Sequence, residues 1–527
     1  MEDNQKIYPR LLLTAGASGS GKTLITCGLL QALKNRSLTA ASFKCGPDYI
    51  DPMFHEKVLK TKARNLDTFF TGEETTRYLF AKNAAGADIS VMEGVMGYYD
   101  GLGGISDTAS AYDLARVTET PAVLIVNTRG MSLSVLAYIK GFLEYRGDSR
   151  IRGVILNQMS AGLYPEIRQR IEEELGVRVY GYVPKVTDCL IESRHLGLVM
   201  PDEVERLEEK LQKLAQVLEE SLAIDRLLEL AASAGPLPQG KDAPEGAARQ
   251  KNTAEGAARQ KNTAAERAPV TIAVARDEAF CFIYEDNLQL LRECGARIVE
   301  FSPIHDREIP AEADGVLLYG GYPELYAEQL SGNTAMLEDV RAKITGGMPC
   351  MAECGGFMYL HRTMEDMEKR AWKMAGVIDA QAYRTDRLTR FGYVELAEAP
   401  AGDADRSQEE ASDGNADRPL EEAASGNADR LREEAAAGNA DGLRDIKIRG
   451  HEFHYFDSTD NGGAFLARKP LRKRSWRCMH RTDTLLAGFP HLYYYSCPQI
   501  AEEFVKKCAG YRRRLLPKSG SGLKKIR

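Results

Sequence analysis

Two groups of residues in this chain have types and spacing that specify chemistry. The first opens at GASGSGKT, Gly16 to Thr23, directly after the apolar run Leu11–Leu13. It fits G-x-x-x-x-G-K-[ST], and the following residues, Leu24 to Lys34, read as a helix. Gly16, Gly19 and Gly21 let backbone N–H groups close around phosphate oxygens, and the helix N-terminus adds partial positive charge. Lys22 can reach the β- and γ-phosphates of a nucleotide, and the Thr23 hydroxyl can hold Mg2+. Acidic clusters accompany this loop. KCGPDYIDPMFH, Lys44 to His55, sets Asp48 and Asp51 near a lysine in a Gly-Pro loop, where neither ladder runs unbroken. Asn65-Leu66-Asp67 closes the next short segment. EGVMGYYDG, Glu93 to Gly101, follows the apolar run Ile89–Met92, so Glu93 ends a strand and faces the ligand crevice. Glu93 could therefore share Mg2+ with Thr23 and an aspartate. Singly, Asp48, Asp51 and Asp100 read equally well as turn caps. Grouped beside one phosphate loop, they read as a metal–phosphate site.

The second group surrounds a cysteine. MPCMAECGGFMYL, residues 348–360, reads as an apolar strand, then Cys354, then Gly-Gly and a helix. A nucleophile on such a strand-to-helix turn is exposed, and neighbouring N–H groups, Gly355 included, can stabilise an oxyanion. The helix N-terminus also favours the thiolate. Upstream, LLYGGYPE (317–324) supplies a second Gly-rich turn, whose N–H groups around Gly321 and Tyr322 are further oxyanion candidates. A cysteine nucleophile needs a base. Of 8 histidines, His451 and His454 lie in RGHEFHYF and His491 in AGFPHLYYYS.

These groups need a scaffold. Short apolar runs (RLLLTAG, ADISVMEG, PAVLIVN, IRGVILN, then TIAVARD, GVLLYGG, PCMAEC) alternate with helical stretches such as 165–175 and 203–230, which carry apolar residues at 3–4 spacing. That alternation predicts α/β architecture with two doubly wound domains, over 1–235 and 269–510. Between and within them lie repeats. EGAARQKNTA occurs twice in tandem, at 245–254 and 255–264, and a twelve-residue unit recurs at 404–415, 416–427 and 428–439. Neither repeat has a hydrophobic face, so 236–268 reads as a linker and 401–445 as a solvated insertion in the second domain. Long surface insertions cost little closure entropy. Residues 511–527 read as a basic tail. The formal net charge of −7 hides these blocks: 401–445 carries −8 and 506–527 carries +9. The balance excludes a strongly basic nucleic-acid binder. No apolar run reaches the roughly 18–20 residues of a membrane span, and no signal core opens the chain. Ten cysteines without regular close spacing do not form a disulfide framework. A cytoplasmic protein with no membrane and no nucleic-acid partner is the expectation.

GASGSGKT, KCGPDYIDP, EGVMGYYDG and SRHLGLVMP (193–201) together resemble the cobyrinate a,c-diamide synthase family. Its N-terminal domain is similar to dethiobiotin synthetase, a P-loop enzyme that activates a carboxylate with ATP. The resemblance implies that Lys22, Thr23 and Lys44 contact the triphosphate and that Asp48 and Glu93 hold Mg2+. Asp51 and Asp100 would line the acceptor side or position nucleotide and metal, and Arg194 and His195 would meet acidic groups of the substrate or serve packing. The C-terminal part resembles class I glutamine amidotransferases of the cobyrinate/cobyrate type. There the base is the histidine near the C-terminus, here His491, while the histidines of RGHEFHYF shape the site or the domain interface. Many class I members carry His-x-Glu, whereas this chain reads His491-Leu492-Tyr493. Glu452 is then a candidate third member, and a Cys–His dyad the alternative.

The implied activity is ATP- and glutamine-dependent amidation of cobyrinate through an acyl phosphate, with cobyrinate, glutamine and ATP as small-molecule partners and room for a homodimer. Hydrogenobyrinate, nickel-sirohydrochlorin and cobyrate synthase chemistry are the alternatives within the class. A partitioning-type ATPase switch is the alternative outside it, and that reading leaves Cys354-Gly-Gly without a use.

Overall fold

A computed structural model describes residues 7–186, 193–194, 197–198, 204–238, 269–399 and 447–515. Both repeats, His195 and 516–527 lie outside the described residues. The chain divides into two units, Met1–Arg249 and Gln250–Arg527, and the division falls inside the segment read as linker.

In the first unit the apolar runs become strands β1 (Arg10–Ala15), β2 (Ala40–Cys45), β3 (Lys62–Leu66), β4 (Ile89–Glu93), β5 (Ala122–Asn127), β6 (Ile151–Asn157) and β7 (Arg178–Val183). They pair in the order β3-β2-β4-β1-β5-β6-β7, all parallel. Every residue of β1, β2 and β4 is buried, as strands covered on both faces must be. Helices α1 (Lys22–Asn35), α2 (Ile50–Leu59), α3 (Thr68–Ala84), α4 (Ala111–Val117), α5 (Ser134–Glu144) and α6 (Tyr164–Leu175) make the crossovers. Asp67 caps α3 by accepting from Phe69 N (2.8 Å) and Phe70 N (3.1 Å). The stretch 203–230 is not one helix but two, α7 (Leu207–Ser221) and α8 (Ile224–Ala232). Leu222 is extended and Ala223 N donates to Tyr180 O of β7 at 2.7 Å, so pairing with the sheet edge outcompetes the helical period there. Gly28, inside α1, costs about 1 kcal/mol of helix propensity relative to alanine. In return α7 comes close: a Cβ at Gly28 would lie 2.6 Å from Leu218 Cδ1.

The second unit contains a six-stranded sheet ordered Ala296–Phe301, Val270–Ala275, Gly315–Leu318, Cys350–Glu353, Leu485–Gly488, His480–Arg481. All neighbours are parallel except the last pair. Two further sheets exceed what alternation of strand and helix predicts. One is five-stranded, and its strands Arg390–Glu398, Ile448–His454 and His491–Leu492 are successive antiparallel neighbours. The other is four-stranded and includes His361–Glu365 and Ile378–Arg384. Leu396 pairs directly with Ile448, so the insertion joins two adjacent antiparallel strands and interrupts neither. The final helix, Gln499–Leu515, runs past the expected start of the tail. Arg512 Nε donates to Asp314 Oδ1 at 3.0 Å, which makes 511–515 part of the folded unit. Among the described residues no helix is long and apolar enough to cross a membrane.

Candidate functional site

In the first unit, β1 delivers the chain into the phosphate loop and α1 leaves it. Gly19 and Gly21 have φ of 74° and 91°, which other residues adopt only with strain. Gly16 is required for space, because a Cβ there would lie 1.8 Å from Tyr138 Oη and 2.7 Å from Phe142 Cζ. Asn157, at the end of β6, donates Nδ2 to Ser20 O at 2.9 Å and pins the loop. Sequence reasoning took that residue only as the end of a strand. Lys22 Nζ donates to Ala17 O (3.0 Å) and Met96 O (2.6 Å), so the Glu93–Gly101 loop sits against the phosphate loop. Burial, then the charge of Lys44, brings the Lys22 ammonium down to about 8.

The C-terminal ends of β2 and β4 meet beside it, with Lys44 paired to Glu93 in register. Lys44 Nζ contacts Asp51 Oδ2 (2.6 Å), Glu93 Oε1 (2.8 Å) and Asp48 Oδ2 (3.8 Å). Burial opposes its charge, but the three carboxylates outweigh burial and hold Lys44 well above its ordinary value. Burial also pushes Glu93 up and works against ionised Asp51, which Lys44 holds below its ordinary range. Thr23 Oγ1 donates to Glu93 Oε1 at 2.6 Å and lies 3.4 Å from Asp51 Oδ2. Glu93 Oε2 is buried and has no hydrogen-bond partner among the described residues. Asn65 Nδ2 donates to Gly46 O (3.0 Å) and Asp48 O (2.6 Å), which fixes the loop carrying Asp48 and Asp51. Asp100 is exposed and accepts from Gly97 N at 2.9 Å. Arg194 lies on a two-residue strand, Ser193–Arg194, antiparallel to Gly197–Leu198.

In the second unit Cys354 follows the strand Cys350–Glu353 and precedes the short helix Gly355–Tyr359. Its φ of 48° and ψ of −105° are a strained combination for a non-glycine residue, held by Cys354 N donating to Gly488 O (2.8 Å) and Met358 N donating to Cys354 O (2.9 Å). Gly356 must be glycine, since a Cβ there would lie 2.0 Å from Leu318 O. The turn after Leu318 lies over Cys354. A Cβ on Gly320 would be 2.4 Å from His491 Cε1 and 3.4 Å from Cys354 Cβ, so the same backbone atom faces both side chains. A Cβ on Gly355 would be 3.3 Å from Gly321 N, which sets the Gly321 amide beside the turn after Cys354. Tyr322 is different. Its N–H donates to Ala279 O at 3.0 Å, so the expectation that Tyr322 serves an oxyanion is corrected: its donor is already committed.

His491 stands on the antiparallel sheet, in register with His451. The two imidazoles stack with centroids 4.9 Å apart and planes at 16°, and Tyr284 Oη lies 3.3 Å from His451 Nδ1. Burial and then His454 bring His491 down to about 3, so its imidazole is neutral at pH 7. Burial, with Glu324 and Glu452, pushes the Cys354 thiol up. The pair at rest is thus thiol and neutral imidazole. Glu452 is engaged by His454 Nε2 (3.3 Å) and Arg390 Nε (3.7 Å). Two residues that sequence reasoning passed over secure the backbone around His491. Glu353 Oε2 accepts from Leu492 N at 3.2 Å. Asn287 donates to Leu492 O and accepts from Tyr494 N, both at 2.8 Å. Glu353 could have been suspected from its place beside Cys354, whereas nothing local marks Asn287.

The two halves match separate family models. Residues 11–198 match a CobQ/CobB/MinD/ParA nucleotide binding domain, and residues 271–492 match a CobB/CobQ-like glutamine amidotransferase domain. Curated relatives cover nearly all of both halves. A cobyrinate a,c-diamide synthase of Caldanaerobacter subterraneus subsp. tengcongensis is 33% identical over 96% of this chain and 100% of its own. One of Listeria innocua is 35% identical over 93% and 97%, and one of Priestia megaterium is 32% identical over 96% and 98%. A phosphate loop with its acidic clusters and a cysteine elbow facing a histidine, each in the domain that its chemistry requires, agree with these full-length matches, and the chain belongs to the cobyrinate a,c-diamide synthase family of glutamine-dependent, ATP-driven amidoligases.

Proposed function

We propose that this protein amidates the a and c side-chain carboxylates of cobyrinate. The observation that carries the reading is that full-length relatives bearing that name align across both sites at 32–35% identity.

In the second unit, Cys354 gives its proton to His491 as sulfur attacks the carboxamide carbon of glutamine. The N–H groups of Gly321 and Gly355 donate to the oxygen that gains charge. His491 returns the proton to the leaving nitrogen, and ammonia departs from a thioester. Water, deprotonated by His491, then releases glutamate and restores the thiol. A neutral imidazole is the form this sequence requires, and the depressed basicity of His491 keeps it so.

In the first unit, a substrate carboxylate oxygen attacks the γ-phosphorus of ATP and ADP leaves. Ammonia attacks the resulting acyl phosphate, and inorganic phosphate departs. Lys22 and the N-terminal amides of α1 hold the charge of the phosphates. The residues present fit Mg2+. Glu93 Oε2 is buried without a hydrogen-bond partner among the described residues, and Thr23 with Asp48, and with Asp51 rather than an acceptor-side role for it, would complete an all-oxygen set. Among the described residues no group of three or more His, Cys, Asp or Glu is arranged to hold a metal alone. Mg2+ needs none, because it binds through one or two carboxylates together with substrate phosphates. When bound, the ion supplies charge neutralisation along the triphosphate. Lys44 balances the carboxylates around it.

A mass-shift assay tests the acceptor. With ATP and glutamine, cobyrinate is expected to undergo two successive exchanges of a carboxyl hydroxyl for an amino group. Turnover of only the metal-free or the nickel analogue would overturn the assignment. Cys354→Ala is expected to abolish glutamine-driven amidation while ammonium-driven amidation persists. Persistence of glutamine turnover in that variant would remove Cys354 from the reaction.

A further inference from the structure

The turn that carries Gly321 also carries a carboxylate that the chemistry above leaves unused. Glu324 lies on the one-turn helix Pro323–Leu325. This turn packs against the nucleophile elbow, since Pro323 Cδ would be 2.9 Å from a Cβ on Gly355. Glu324 is only 6% exposed. Other buried carboxylates of this unit have side-chain partners: Asp286 has Tyr493 (3.0 Å), Asp314 has Arg512 (3.0 Å), Asp366 has Arg370 (2.8 Å), and Glu452 has His454 (3.3 Å). Glu353 accepts from Leu492 N (3.2 Å) and Tyr494 Oη (3.4 Å). Among the described residues, only the backbone N–H of Glu324 itself favours its charged form, and burial pushes the carboxyl up to about 7. Of the charges around Cys354, Glu324 acts most strongly on the thiol. A buried carboxylate without a cation is costly unless a cation arrives.

Glutamine brings such a cation. Its α-ammonium is separated from the reacting carboxamide by a short aliphatic chain, and Glu324 lies one turn along the chain from the Gly321 amide. We propose that Glu324 binds the α-ammonium of the glutamine that Cys354 attacks, and so selects glutamine over carboxamides that lack this charge. The proposal rests on Cys354 being the glutamine nucleophile.

The test uses the full-length protein and compares ammonia release from L-glutamine with that from glutaramate, which has the same chain without the amine. Wild type is expected to prefer glutamine strongly in kcat/KM; a ratio near one would overturn the proposal without any variant. In Glu324→Gln, kcat/KM for glutamine is expected to fall about 100-fold, mainly through KM, with glutaramate changing far less. Glu324→Asp, which keeps the charge, is expected to restore part of the preference. A structural role would lower both substrates together and leave their ratio intact, and that result overturns the proposal. The Cys354→Ala control separates the two readings: if it still hydrolyses glutamine, the nucleophile is misassigned, whatever Glu324 does.

Discussion

Replacing Gly320 by alanine tests the geometry on which the glutaminase reading depends. The added Cβ would lie 2.4 Å from His491 Cε1 and 3.4 Å from Cys354 Cβ. Carbon atoms settle at about 3.5–4.0 Å, so the imidazole has to retreat by roughly 1 Å. It has little room to do so. His451 stacks on the ring at 4.9 Å, and a Cβ on Gly450 would lie only 2.3 Å from His491 O, which shows how tightly the strands pair there. Gly320 is not among the positive-φ glycines, so alanine meets side chains rather than a forbidden backbone. Overpacking of this kind costs about 1–3 kcal/mol of stability, and a 1 Å misplacement of a reacting group costs about 100-fold in rate. Glutamine-driven amidation is therefore expected to fall about 100-fold in Gly320→Ala, with ammonium-driven amidation close to wild type. The assay runs both nitrogen sources in parallel, with a thermal melt to confirm folding. Glutamine turnover within about threefold of wild type in a folded variant would refute the idea that Cys354 and His491 act together across Gly320.

Other outcomes follow from the same geometry. Lys22 is held at about 8, and only its ammonium form binds phosphate. In the free enzyme kcat/KM for ATP is thus expected to decline as pH rises through 8, about tenfold per unit beyond, whereas a profile flat well above that value would contradict the placement of Lys22. Deleting 404–439 is expected to leave activity and melting temperature near wild type, because the flanking strands pair directly at Leu396 and Ile448; loss of folding, read by circular dichroism, would show that the repeats are structural.

The phosphate loop and the cysteine elbow are legible in the sequence, and the reason is local. Each is a contiguous run in which glycine conformation, a strand ending and a helix beginning are dictated by neighbouring residues. Gly19 and Gly21 do adopt left-handed φ, and Cys354 does sit at a strained turn. The acidic clusters after Lys44 and Glu93 were legible for a related reason. Both lie at C-terminal strand ends of an alternating pattern, and parallel pairing brings such ends together. Residue 511 as the start of a tail was misleading, because its basic composition concealed an amphipathic helix whose Arg512 finds Asp314 across the fold.

The sequence by itself determined the α/β class, the order of the two catalytic bodies and the nucleophile-type residues, since these depend on periodicity and short-range backbone demands. Only the tertiary structure decided which groups surround them. His491 faces Cys354 across Gly320 because an antiparallel sheet, invisible to the strand–helix alternation, pairs it with His451. Tyr322 spends its amide on Ala279, Asn157 reaches the phosphate loop from β6, and Glu324 is buried beside the elbow with no cation partner among the described residues. These outcomes depend on residues distant in sequence converging in space. Convergence is set by strand pairing and packing, which no local pattern encodes.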